Sequence, residues 1–132
     1  VRALAGIGDV RGLDLLEEAL ATDVGPSVRR AAACGLGNLR LHSQVGTERH
    51  RIRARALQAL VAGCGDGEWV VRYAVAVGLE ALVLGMEPLT REHGQVLEAL
   101  ETLARAEREE AAVVRLRASM ALERLRDTPT SP

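Results

Sequence analysis

The sequence predicts an all-α fold, an alpha-solenoid of stacked helical hairpins, on three observations. The first is composition. Of 132 residues 48% are hydrophobic, yet Phe is absent and one Trp and one Tyr are the only aromatic side chains. Ala, Leu and Val suit closely packed helices and are poor material for a β-sandwich, which leans on aromatic and β-branched residues. The second is an internal repeat: segments beginning at Val28, Val71 and Val114 align without gaps through Leu39, Leu82 and Leu125, at a period of 43 residues. The third is the pattern inside each segment. Val28, Ala32, Gly35, Leu36 and Leu39 are matched by Val71, Val75, Gly78, Leu79 and Leu82, and by Val114, Ala118, Ala121, Leu122 and Leu125. Offsets of i, i+4, i+7, i+8 and i+11 place each set on one helical stripe. The small residue in the middle admits a neighbouring helix closely.

The elements follow in order. Ala3, Leu4 and Ile7 match Gly35, Leu36 and Leu39, so the chain opens inside the second, or B, helix of a hairpin. First, or A, helices are expected at 10–21 (Leu13, Leu16, Leu20), 49–62 (Ile52, Ala56, Leu60) and 92–106 (Val96, Leu100, Leu103). Each precedes one of the aligned B segments. Breakers at Gly8-Asp9, Gly25-Pro26, Gly63 to Gly67 and Gly85 to Pro88 supply the turns. Pro26 is expected in the first turn of its helix, where its missing N–H costs nothing. The expectation is three complete hairpins plus one trailing helix. They form a single repeat domain over 1–126, truncated at its N-terminus, with a disordered tail at 127–132. The period lies in the range of HEAT and armadillo arrays.

Several function classes are disfavoured. A net charge of −1 provides no field to draw in nucleic acid. No apolar run approaches the roughly 20 residues of a membrane span. Cys34 and Cys64 lack a CxxC spacing and suggest a reduced, cytoplasmic chain. His42, His50 and His93 have no metal-ligand spacing, so no metal site is expected. Ser27, Ser43, Ser119 and Ser131 stand outside any nucleophile-elbow pattern, and no Gly-rich phosphate loop follows a strand. Stand-alone hydrolytic or redox catalysis is not expected, and no catalytic residue is assigned.

The surface is more informative. With Val71 at zero on a helical wheel, Trp69 and Tyr73 fall at about 160° and 200°, away from the core stripe and with Glu80 beside them. At i and i+4 the two are neighbours. They either close a seam against a loop or form an aromatic platform on the concave face, where solenoids bind partners. Pro26 and Arg30 hold the equivalent positions in the preceding unit, and Ala112 and Leu116 in the following one, so Arg30, Tyr73 and Leu116 form a row. Arg29, Arg72 and Arg115 also recur at the repeat period, each with an acid six residues earlier: Asp23, Asp66 and Glu109. The expected arrangement is a structural ladder of Arg–carboxylate pairs, with a ligand role for Arg72 as the alternative. Arg51 and Arg55 share a face with Gln58 and read as a solvated face, with an acidic partner as the alternative, while Glu101 and Arg105 have the spacing of a modest helix pair.

The stretch from Glu68 to Leu82, EWVVRYAVAVGLEAL, goes beyond a generic repeat. It resembles the repeat of the E/F-type phycocyanobilin lyase subunits and of the related phycobilisome degradation protein, as do Ala3 to Asp9 and Gly35 to Leu39. The resemblance implies a bilin- or phycobiliprotein-binding HEAT-repeat protein, either a partner-dependent lyase subunit or a degradation factor. An open-chain bilin would be the bound or transferred ligand. A phycobiliprotein subunit or a second lyase-type subunit would be the partner. Trp69 and Tyr73 would then stack on a tetrapyrrole, with Arg30 or Arg72 holding its propionates. The alternative is a protein-interaction scaffold without pigment chemistry.

Overall fold

The computed structural model describes residues 12–39, 46–84, 86, 90–105 and 107–127. Among them are six helices: α1 (Leu13–Thr22), α2 (Pro26–Gly37), α3 (Gly46–Gly63), α4 (Trp69–Val83), α5 (Arg91–Ala104) and α6 (Ala112–Asp127). The helix expected at Val1–Ile7, the Gly8-Asp9 turn, His42 and Ser43, most of the Gly85 to Pro88 turn, and 128–132 lie outside the described residues. α6 runs through Asp127, one residue into the stretch expected as tail.

The helices form two layers. α1, α3 and α5 are the A helices, packed side by side, and α2, α4 and α6 are the B helices, packed likewise, with each A helix against its own B helix. The B helices begin at Pro26, Trp69 and Ala112, so the sequence period is also the period of the helix starts. Local chemistry sets those starts. Pro26 stands in the first turn of α2. Ahead of each B helix, a carboxylate accepts a backbone N–H two residues on: Gly25 to Asp23 at 2.8 Å, Glu68 to Asp66 at 3.0 Å and Ala111 to Glu109 at 2.9 Å. At Asp23 and Asp66 these are Asx turns, and Glu109 makes the corresponding bond with its longer side chain. α5 has a side-chain cap, the Thr90 hydroxyl accepting from the His93 N–H at 3.2 Å. It stops at Ala104, which leaves Arg105 extended and breaks the expected Glu101–Arg105 helix pair. Glu101 faces Arg126 of α6 instead, at 3.5 Å.

The predicted stripes form the core. Leu36, Val71, Val75, Leu79, Val114, Leu60 and Leu100 are fully buried, each contributing roughly 1.5–3 kcal/mol of transfer free energy. The B layer is tightest between α2 and α4. A Cβ on Gly78 would lie 2.6 Å from the Ala33 carbonyl oxygen, and one on Gly37 would lie 2.5 Å from the Gly78 Cα. The two helices therefore touch backbone to backbone. One period on from Gly37 stands Glu80, so the α4–α6 junction holds a side chain where the α2–α4 junction holds none.

Candidate ligand-binding face

The recurring arginines form a ladder along the loop edge of the solenoid. Arg29 donates through Nε and Nη2 to the two carboxylate oxygens of Asp66, at 2.8 and 3.2 Å. Arg72 does the same to Glu109, at 2.6 and 2.8 Å. Each acid belongs to the following repeat, 37 residues on. The Nη1 of each arginine turns back to the carbonyl of the acid in its own repeat: Arg29 to Asp23 at 2.9 Å, Arg72 to Asp66 at 2.8 Å, Arg115 to Glu109 at 2.6 Å. The guanidinium fork suits this double duty, since it offers two edges at once. Burial pushes the Glu109 carboxyl up, but the Arg72 hydrogen bond, the Ala111 N–H and the charges of Arg72 and Arg115 outweigh it and hold the group below the usual carboxylate range. Asp66 is shifted down in the same way, burial being outweighed by Arg29, the Glu68 N–H and the charge of Arg72. With all three guanidinium nitrogens engaged, Arg72 has little left to offer a ligand.

Glu80 is likewise committed. It is only 7% exposed, between α4 and α6, where Arg117 Nη2 donates to it at 2.6 Å and Arg124 Nη1 lies 3.4 Å from both carboxylate oxygens. Arg55, expected on a solvated face, ties α3 to α1 by binding Asp14 at 2.5 Å and also Glu17. Arg51 pairs with Glu48 of its own helix.

The open B-helix face differs in kind. Trp69 is 48% exposed at the start of α4, and Tyr73 lies one turn on, half-buried against the core. Val70 and Val77, also half-buried, share the Tyr73 side of the wheel. In α6 the positions one period later are Val113, Leu116 and Met120, all exposed, Leu116 at 61%. In α2 they are Ser27, Arg30 and Cys34, of which the first two are exposed. The face thus runs from a cationic edge at Arg30 across Tyr73 to an apolar shelf on α6. Trp69, Val113, Leu116 and Met120 are the exposed large apolar side chains of this face. The row of Arg30, Tyr73 and Leu116 was legible in the sequence. Val70, Val77, Val113 and Met120 were missed, although the 43-residue alignment places them in register with that row.

Among the described residues, recesses also lie elsewhere. One of about 360 Å³ opens between α3 and α5 in the A layer, lined by Gln58, Val61, Cys64, Gln95, Glu98 and Thr102 among others. Another, about 350 Å³, surrounds Asp66 and Arg72 in the loop layer. Cys64 borders both, but burial, with a smaller push from the Glu109 charge, raises its thiol pKa to about 11, and its Sγ lies 3.7 Å from the Leu60 carbonyl. It is no activated nucleophile. Burial also raises Cys34, against the opposing charge of Arg30. Among the described residues no cluster of His, Cys, Asp or Glu could hold a metal ion, and no helix is long and apolar enough to cross a membrane.

These features define a HEAT-like repeat solenoid with an aromatic, apolar B-helix face. The model of the PBS lyase HEAT-like repeat family matches residues 1–22. The bilin biosynthesis protein RpcF of Synechococcus sp. (strain WH8020) is 49% identical over 125 residues, 95% of this chain and 57% of that protein. The phycocyanobilin lyase subunit beta of Nostoc sp. (strain PCC 7120) is 49% identical over 83 residues, 63% of this chain and 42% of the relative. Among solved structures, a chain of the complex of CpcE and CpcF of phycocyanin lyase from Nostoc sp. PCC7120 superposes with a TM-score of 0.77 at 42% identity, covering 91% of this chain and 67% of that one. The chain belongs to the bilin-lyase family of HEAT-like repeat proteins. It spans about half the length of the curated relatives it matches.

Proposed function

We propose that this chain is the bilin-handling part of a lyase-type subunit and that it holds an open-chain tetrapyrrole on its B-helix face. The observation that supports the reading is the repeat register that puts exposed Trp69 and half-buried Tyr73 on α4, exposed Val113, Leu116 and Met120 on the neighbouring α6, and exposed Arg30 on α2. A tetrapyrrole needs a flat apolar contact for its rings and a cation for its propionates. Stacking on Trp69 and Tyr73 supplies the first. Arg30 is better suited than Arg72 to the second, because Arg72 is bound up in the ladder. Glu80 is withdrawn from the ligand by its ion pairs and serves to position α6 beside α4.

The chain's own groups bind and orient rather than break bonds. Both cysteines are free thiols, and burial raises both. In this reading the thiol that receives the bilin belongs to a phycobiliprotein subunit, and a second lyase-type subunit completes the assembly. The compartment it implies is the cytoplasm. Intrinsic fluorescence tests the proposal, because Trp69 is the only tryptophan. Titration with phycocyanobilin is expected to quench its emission in a saturable way, with weaker affinity in Arg30→Ala. Unchanged emission at saturating pigment would refute it.

A further inference from the structure

We infer that the cleft between α3 and α5 is a binding site for a guanidinium group, an arginine side chain presented by a partner protein, with Glu98 as its counter-ion. It lies in the other helix layer from Trp69 and Tyr73, apart from the pigment face proposed above.

Neighbouring A-layer junctions are closed differently. Between α1 and α3 the chain supplies its own guanidinium: Arg55 Nη2 reaches Asp14 at 2.5 Å and also Glu17. Ala56, Leu57 and Leu60 recur one period later as Ala99, Leu100 and Leu103, all buried. In that register the place of Arg55 is taken on α5 by Glu98. The α3–α5 junction thus carries a carboxylate where the preceding helix carries a cation. Among the described residues no basic side chain lines the recess of about 360 Å³ that opens there. His50 and Glu92 bridge the same two helices at 3.5 Å nearer their N-termini.

The lining accepts hydrogen bonds. The Thr102 hydroxyl gives its proton to the Glu98 carbonyl at 3.1 Å, which leaves its oxygen an acceptor. The Cys64 thiol is turned likewise to the Leu60 carbonyl. Gln58 and Gln95, one on each wall, each bring an amide oxygen, and Glu98 brings the charge. Val61 and Ala99 give an apolar patch for a methylene stem. A planar fork of donors engages a carboxylate and several neutral oxygens at once, which an ammonium point charge does less well. The volume is near the lower bound of small-molecule sites, roughly 300–1,000 Å³, and suits one side chain rather than a cofactor. Gln58, Val61 and Glu98 are exposed, so the mouth lies on the surface where a partner protein can deliver that side chain.

Side-chain amide NMR of the full chain tests this, because Gln58 and Gln95 report from the recess and Asn38, at the end of α2, from outside it. The probes are acetyl-Gly-Arg-Gly-amide, the same peptide with citrulline for arginine, and agmatine. The arginine peptide is expected to shift both glutamine signals saturably and leave Asn38 unmoved. Glu98→Gln should weaken it about fivefold or more, with the gap widest at low salt. Val61→Arg, which places a guanidinium of the chain's own beside Glu98, should abolish binding. Backbone spectra unchanged away from the recess confirm that each variant folds. No saturable shift from the arginine peptide, an equal response to the citrulline peptide, or equal binding by Glu98→Gln would overturn the site. Tighter binding of agmatine than of the arginine peptide would assign the recess to a free small cation and overturn the partner side chain as its occupant.

Discussion

Replacing Arg72 with Met probes the ladder where it is most shielded. The substitution removes two hydrogen bonds to Glu109 and one to the Asp66 carbonyl, at 2.6, 2.8 and 2.8 Å. It leaves a carboxylate that is only 3% exposed with the Ala111 N–H as its remaining partner. Breaking a buried pair from one side costs about 3–5 kcal/mol. The loop layer gives some access to water, which brings the expected cost to the lower end, about 3 kcal/mol. With an unfolding entropy near 2 cal/mol/K per residue, that corresponds to a fall in Tm of about 10 °C. Because the folded Glu109 carboxyl lies below its ordinary value of 4.5, its contribution is complete above that pH and is lost as pH falls through the folded value. The gap between wild type and Glu109→Gln should therefore be widest near neutrality and narrow below about pH 4. Urea unfolding of both variants across pH measures this. A loss under about 0.5 kcal/mol at pH 7 would place the pair among solvent-screened surface bridges and refute the reasoning.

Other perturbations separate the remaining elements. Gly78→Ala, whose Cβ would meet the Ala33 carbonyl at 2.6 Å, is expected to cost about 2–3 kcal/mol in urea unfolding by forcing α2 and α4 apart. Gly94→Ala in α5 meets nothing within 4 Å and should instead stabilise by about 0.5–1 kcal/mol; a gain at both sites would contradict the backbone contact. Cys64 should react with a disulfide reagent at pH 8 at least tenfold more slowly than an unhindered thiol, since burial holds its pKa at about 11. Rapid labelling of Cys64 in a Cys34→Ser background would show that site to be open.

The fold was legible because its period is written in side chains that have one role. Val28, Val71 and Val114 sit on core stripes, and the B-helix starts at Pro26, Trp69 and Ala112 keep the same spacing. The pairing within the ladder was harder to read. Asp66 lies six residues before Arg72 and 37 after Arg29. Spacing cannot reveal that its carboxylate serves the earlier arginine while its carbonyl serves the later one. That depends on how far one hairpin is displaced from the next. Glu80 illustrates the same limit. The wheel places it beside Trp69 and Tyr73, but α6 docks on that side of α4 and brings Arg117 and Arg124 to it. A single helix cannot indicate which flank a neighbour will cover.

The central claim is that the bilin sits on the B-helix face. It is tested most directly by visible absorbance titration of phycocyanobilin with wild type, with Trp69→Ala/Tyr73→Ala, and with Leu15→Ala as a control on the exposed surface of α1. A saturable shift of the pigment spectrum in wild type and Leu15→Ala, lost in the double variant while its fold persists, is the predicted result. An equal shift in all three, or none in any, would contradict it.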